Sequence, residues 1–135
     1  MAIVEPLVAG LVAAAREASK HAYCPYSRFP VGAAILTDGD QIVAGCNVEN
    51  ASYGLTICAE RNAIFHAVAA GGRTVKAVVV YTPTPRPTSP CGACRQVINE
   101  FGPDAEVISV CDGPEVVRQP LATLLPDAFG PRNLV

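Results

Sequence analysis

The chain has 135 residues, a length that fits one domain around one core, and half of them are hydrophobic. Its formal net charge is -2 and its basic residues are scattered singly, which excludes the electrostatic footprint of a protein that binds nucleic acid or anionic lipid. No apolar run reaches the length of a membrane span. Glu5 and Pro6 stand where a secretory leader would be basic and then apolar, so the expected location is cytoplasmic. Six cysteines are an even number, but a chain of this size needs no staples and its expected compartment is reducing. One Cys-x-x-Cys pair plus a further cysteine fits metal binding better than a disulfide scaffold.

Residues 4–21 carry Val4, Leu7, Val8, Leu11, Val12 and Ala15 at helical spacing, with Arg16, Glu17 and Lys20 off that stripe. The pattern predicts an amphipathic helix ending near Tyr23. A loop follows, Tyr23-Cys24-Pro25-Tyr26-Ser27-Arg28-Phe29-Pro30, aromatic-rich in a chain that holds four Tyr, four Phe and no Trp. Two readings of these rings are open: a cap on the edge of the core, or a face for a planar ligand. A strand is predicted over 31–37, a tight hairpin turn at Asp38-Gly39-Asp40, and a return strand over 41–46. The polar cluster Asn47-Val48-Glu49-Asn50 comes next. On its own it reads as loop or capping residues.

A helix is predicted over 58–70, ended by Gly71-Gly72. Residues 75–81 form a nearly continuous β-branched run, the pattern of a strand buried on both faces. Residues 82–90 hold four prolines in nine, a stiffened loop that delivers Cys91. A helix over 91–101 stops at Gly102-Pro103. A strand over 105–110, a turn at Asp112-Gly113-Pro114, a short fifth strand over 115–118 and a short helix over 121–125 follow. No repeat or linker composition divides the chain, so residues 1–135 are expected to form a single domain. The order helix, hairpin, helix, strand, helix, strand, strand predicts an α/β fold. It is a three-layer α/β/α sandwich with a mixed five-stranded sheet.

Cys91 and Cys94, at i and i+3 of a helix start, can share one metal ion. Cys58 opens another helix. Helix N-termini favour negative charge, which eases ionisation of these thiols. Structural zinc sites are closed by four protein ligands, commonly two Cys-x-x-Cys pairs. No second pair exists here, and neither His21 nor His66 has ligand spacing. The expectation is one Zn²⁺ held by Cys58, Cys91 and Cys94, with water in the fourth position. His66 reads as a packed or surface residue.

Glu60, two residues after Cys58, is placed to move protons beside the metal without being a ligand. An acidic residue in a first helical turn also complements the helix dipole, but the thiols around Glu60 favour the first role. Three thiolates leave the site negative. Arg61 and Arg95 each adjoin a ligand segment and are candidates to donate to the sulfurs, with a plain surface position as the alternative for each. Cys24, Cys46 and Cys111 read as small buried hydrophobes. If one of them closed the metal site, the protein would be a structural zinc module that binds a partner.

Thr56-Ile57-Cys58-Ala59-Glu60-Arg61 together with Pro90-Cys91-Gly92-Ala93-Cys94-Arg95-Gln96 resembles the cytidine deaminase family in its small, three-cysteine form. The resemblance runs from Pro25-Tyr26-Ser27 to Leu124-Leu125-Pro126-Asp127-Ala128-Phe129, nearly the whole chain. It implies one Zn²⁺ per subunit on Cys58, Cys91 and Cys94, and Glu60 as the proton shuttle. Asn47 and Glu49 would hydrogen-bond the ribose hydroxyls, and Phe29 would pack on the pyrimidine. The Ala59 backbone would contact the base, and Arg61 would donate to the thiolates.

The implied reaction is hydrolytic deamination of cytidine and 2'-deoxycytidine to uridine and 2'-deoxyuridine, with release of ammonia, in pyrimidine nucleoside salvage. The substrate would be a free nucleoside, with no nucleic acid and no membrane as partner. A cytosine nucleoside antibiotic, or cytosine in RNA, is the alternative substrate. The resemblance also implies a homotetramer with active sites at subunit contacts, which Tyr53 and Phe129 would reach across. The proline-rich loop before Cys91 is slightly longer than is usual in that family.

Overall fold

A computed structural model describes residues 3–134 of the chain. The elements are α1 (Glu5–Ser19), β1 (Gly32–Thr37), β2 (Ile42–Cys46), a 3₁₀ turn at Tyr53–Leu55, α2 (Ala59–Ala69), β3 (Val75–Tyr81) and α3 (Gly92–Phe101). They continue with β4 (Glu106–Val110), β5 (Val117–Pro120), α4 (Leu121–Leu124) and a second 3₁₀ turn at Pro131–Asn133. Neither 3₁₀ turn is signalled in the sequence. The strands form one sheet in the order β2-β1-β3-β4-β5. β3 and β4 run parallel, and the other neighbours are antiparallel.

Alternation along the inner strands builds two cores. Ala33 and Ile35 of β1 and Val78 of β3 pack with Ala63, Ile64 and Ala67 of α2 and Ile98 of α3. Ala34 and Leu36 of β1 and Ala77 and Val79 of β3 pack with Val8, Leu11 and Ala15 of α1 on the other face. Successive strand residues point to opposite faces, so strands covered on both sides must be apolar almost throughout. That makes the expected three layers, with α1 on one side of the sheet and α2 and α3 on the other. Two glycines let the helices lie directly on it. A Cβ at Gly32 would stand 1.8 Å from Ala15 O in α1, and one at Gly45 would stand 2.4 Å from Ala63 N in α2. Among the described residues, no helix is long and apolar enough to cross a membrane.

Two boundaries depart from the sequence expectation, while the expected hairpin turn at Asp38-Gly39-Asp40 forms. α1 ends at Ser19, not near Tyr23. Tyr23 cannot be helical, because its backbone N–H donates to Asn47 O at 3.0 Å and its carbonyl accepts from Glu49 N at 2.8 Å. β5 occupies Val117–Pro120, two residues later than expected. The Cys111 thiol sits 3.6 Å from both Gly113 O and Glu115 O, which curls the turn onto itself. Arg118 then bonds Glu106 through Nε at 2.7 Å and Nη2 at 3.0 Å, a cross-strand pair that fixes the observed register. In the β1–β2 hairpin the left-handed residue is Asp40, with φ 59°, and not Gly39. Asp40 N donates to Thr37 O at 3.0 Å, so the loop closes as a turn followed by one left-handed residue.

Candidate active site

α2 and α3 begin side by side. Cys58 and Cys91 are their N-cap residues, in extended conformation and with no side-chain capping bond. A capping Ser or Asp would spend its oxygen on the first-turn N–H groups. The two thiols are instead left free at the positive ends of two helices. Cys94 lies one turn into α3 and is wholly buried. The Cys58 and Cys91 sulfurs are 3.9 Å apart, those of Cys91 and Cys94 are 3.5 Å apart, and all three lie within 4.8 Å of one another.

Tetrahedral Zn–S bonds of about 2.3 Å would set sulfurs about 3.8 Å apart, so the cluster fits zinc. All six cysteines are free thiols, which rules out the disulfide scaffold. Among the described residues, no further His, Cys, Asp or Glu joins the three sulfurs. Cys111 is buried as expected, but Cys24 and Cys46 are only partly so.

The surroundings shape the protons. Hydrogen bonds from Cys94, then from Arg61 and Cys91, draw the Cys58 thiol down to about 5 against the opposing effect of burial. Cys94, which donates to Cys58 and is buried beside Glu60, is pushed well above the usual thiol range. Glu60, the second residue of α2, is buried, and burial pushes its carboxyl up to about 7. The negative charge of Cys58 acts in the same direction, while the Glu60 backbone N–H and Arg61 act against it. Arg61 Nη2 donates to Cys58 Sγ at 3.4 Å, as expected. Arg61 Nε is buried with no hydrogen-bond partner among the described residues.

Arg95 does not reach the sulfurs, which corrects one of its two sequence readings. Its Nε donates to Pro90 O at 2.8 Å, Nη1 to Leu124 O at 2.8 Å and Nη2 to Ser89 Oγ at 3.0 Å. His66 is exposed, with Nδ1 3.1 Å from Ala44 O.

The polar segment after β2 is joined directly to the start of α2. Val48 and Ile57 exchange backbone hydrogen bonds, both 3.0 Å, so Asn47 and Glu49 flank the residue that pairs with Cys58's neighbour. Asn47 is buried. Its Oδ1 accepts from Val31 N at 2.9 Å and its Nδ2 donates to Phe29 O at 2.8 Å. Glu49 is half-buried, and its Oε1 accepts from Tyr26 N at 3.0 Å and Ser27 N at 3.1 Å. Its Oε2 accepts from the Ser27 hydroxyl. The Ser27 hydroxyl, then the Ser27 and Tyr26 N–H groups, hold the Glu49 carboxyl below the usual carboxylate range.

Phe29 presents its ring at the surface, 37% exposed, and Ala59 is wholly buried in the first turn of α2. Tyr53 is 75% exposed and meets Tyr26 with ring centroids 5.7 Å apart. Phe129 is 60% exposed, and its carbonyl accepts from Gln96 Nε2 at 2.7 Å and Asn99 Nδ2 at 3.3 Å. Ser27, Gln96 and Asn99 are not singled out by the sequence. Only Gln96, directly after the Cys-x-x-Cys-Arg run, carries a positional signal.

Residues 9–111 match the family described as "Cytidine and deoxycytidylate deaminase zinc-binding region". Over 126 residues the chain is 47% identical to the cytidine deaminase of Sporosarcina psychrophila, covering 92% of each protein. It is 48% identical to the cytidine deaminase of Halalkalibacterium halodurans over 120 residues, 88% of this chain and 91% of that one. The crystal structure of cytidine deaminase from Burkholderia pseudomallei superposes with a TM-score of 0.87 at 47% identity, covering 94% of this chain and all of that one. With three thiols gathered at two helix starts, a buried carboxyl beside them and likeness along nearly its whole length, this chain belongs to the zinc-dependent cytidine deaminase family.

Proposed function

We propose that the protein deaminates cytidine and 2'-deoxycytidine hydrolytically, yielding uridine or 2'-deoxyuridine and ammonia. The observation that carries this is the buried Glu60, its carboxyl pushed up to about 7, next to a three-sulfur cluster with the spacing of a zinc site. Cys58, Cys91 and Cys94 would hold a zinc ion, which would supply the Lewis acidity that makes water a nucleophile near neutral pH. Glu60 takes one proton from the water that adds to C4 and passes it to N3, then takes the remaining proton from the new C4 hydroxyl and delivers it to the amine, which leaves as ammonia while C4=O forms. A carboxyl that titrates near neutrality can both accept and return each proton. Arg61 offsets the charge of the thiolates.

In this reading Phe29 packs on the pyrimidine and the Ala59 backbone contacts the base. Asn47 and Glu49 take the ribose hydroxyls with the capacity their loop contacts leave over. Asn47 keeps one N–H and one lone pair, and Glu49 keeps one of the roughly four acceptor sites of a carboxylate. Binding a free 3'-hydroxyl there selects nucleosides over polynucleotides. We further propose one catalytic domain working as a cytoplasmic homotetramer in pyrimidine salvage. The exposed rings of Tyr53 and Phe129 support a role at subunit contacts.

The test is ultraviolet measurement of cytidine loss by the purified protein, paired with metal analysis. Cytidine and deoxycytidine should turn over, and free cytosine and a cytosine oligonucleotide should not. Glu60→Gln should keep its zinc and lose about 100- to 10,000-fold in kcat. Full turnover in that variant would remove Glu60 from the mechanism.

A further inference from the structure

We propose that Arg95 is a positioning residue for the metal set, holding the Pro90–Cys91 peptide in the orientation that sends the Cys91 thiol into the cluster. This rests on the reading of Cys58, Cys91 and Cys94 as zinc ligands. Of the three, Cys91 is the exposed one. Cys94 is held by the core around it, and Cys58 accepts a hydrogen bond from Arg61. Cys91 has neither support, and as an N-cap residue without a side-chain capping bond it lacks the usual local anchor too. Its direction is therefore set by the backbone on either side. On the C-terminal side that backbone is α3.

On the N-terminal side it is the peptide between Pro90 and Cys91, and Arg95 holds that peptide's carbonyl at 2.8 Å. The same guanidinium bonds Ser89 Oγ and Leu124 O. Leu124 ends α4, whose first residue, Leu121, is buried in the core beneath α3. Arg95 thus braces the last residues of the proline-rich loop against a fixed point of the fold. Three acceptors in three directions match a rigid, planar five-donor fork. Arg95 is turned about 100° from Cys94 and stands one turn above Cys91, within reach of the Pro90–Cys91 peptide, and its three acceptors draw it to that side. The side chain faces the loop and α4 and not the sulfurs.

A Lys at this position keeps the charge and loses the fork, which separates positioning from charge compensation. Arg95→Lys and Arg95→Gln should fold with unchanged circular dichroism and release zinc to a competing chelator with an affinity about 10- to 100-fold weaker. When loaded with cobalt(II), both should show weakened thiolate-to-cobalt charge-transfer absorption. At saturating zinc their KM for cytidine should match that of the parent. Should Arg95→Gln not fold, Arg95→Lys carries the comparison together with Ser89→Ala, which removes one arm of the brace and should weaken zinc less. Parent-like zinc affinity in Arg95→Lys would overturn the proposal. Cys91→Ala serves as the reference: if it too holds zinc like the parent, the ligand assignment itself is wrong, whereas zinc loss there beside full retention in Arg95→Lys rejects only the role of Arg95.

Discussion

The loop that ends at β1 and the loop that ends at Cys91 are held in different ways. Residues 23–30 are pinned from outside, by the Asn47 amide at Phe29 and Val31 and by the Glu49 carboxylate at Tyr26 and Ser27. The pinned path forces Arg28 into the left-handed region, with φ 54°, a conformation that non-glycine residues adopt at a cost. Residues 82–90 add stiffness from within to the hold of Arg95 on Ser89 and Pro90 and of Asp112 N on Thr84 O. Four prolines fix φ, and the Thr82 hydroxyl lies 2.7 Å from that of Thr84 and 3.3 Å from that of Thr88. The first loop carries the proposed recognition ring on reversible polar contacts. The second carries a proposed metal ligand on proline stiffness joined to the Arg95 brace. A recognition surface must admit and release a nucleoside, and a metal ligand must not move.

The comparison breaks most visibly at the stiff loop. Cys91→Ala should lose zinc and cytidine turnover together, read by elemental analysis and the ultraviolet assay. Retained zinc with lost turnover would mean that this loop serves something other than the metal. Asn47→Ala tests the pinned loop. It leaves Phe29 O and Val31 N without their partner, which should lower unfolding stability by about 1–3 kcal/mol in urea denaturation and raise KM while zinc content stays whole. A fall in zinc content would show that the two loops are not held separately.

The smallest effect is in pH. Because the Glu49 carboxyl lies below its ordinary value of 4.5, its clamp adds stability above that value. The contribution is lost as pH falls through the lowered value. Amide resonances of Tyr26 and Ser27 should titrate with a midpoint below 4.5, while those of Thr84 and Thr88 stay still. A midpoint at or above 4.5 would remove the carboxylate from the loop's support.

The thiol cluster is legible in the sequence because a cysteine at a helix start is a local feature, and i, i+3 spacing fixes a shared face. The layer order is legible for a similar reason: the β-branched run at 75–81 can only be a strand covered on both sides. The direction of side chains that lack a periodic partner is not legible. Arg61 stands three residues after Cys58 and Arg95 four after Cys91, so helical spacing puts each beside a cysteine, yet only Arg61 bonds a sulfur, while Arg95 is drawn off by Pro90 O, Leu124 O and Ser89 Oγ. Asn47 and Glu49 show a second limit. Sequence reasoning finds that they are polar and placed after a strand, but their contacts lie some twenty residues upstream, in a loop whose path is set only by tertiary structure. The late start of β5 depends on Arg118 meeting Glu106 across the sheet and on the Cys111 thiol among turn carbonyls, neither of which has a local signature.

Gly45 sits on the edge strand β2, where its missing side chain lets Ala63 of α2 rest against the backbone, and Asn62 Nδ2 donates to Cys46 O at 2.8 Å alongside. The strand therefore acts as a mechanical stop that seats the helix. Cys58 and Glu60 ride on that helix's first turn, so its seating sets how far each stands from the sulfurs that α3 contributes. One added methyl group on the sheet, touching neither metal nor nucleoside, would shim the helix outward and carry with it the carboxyl for which proton transfer is proposed.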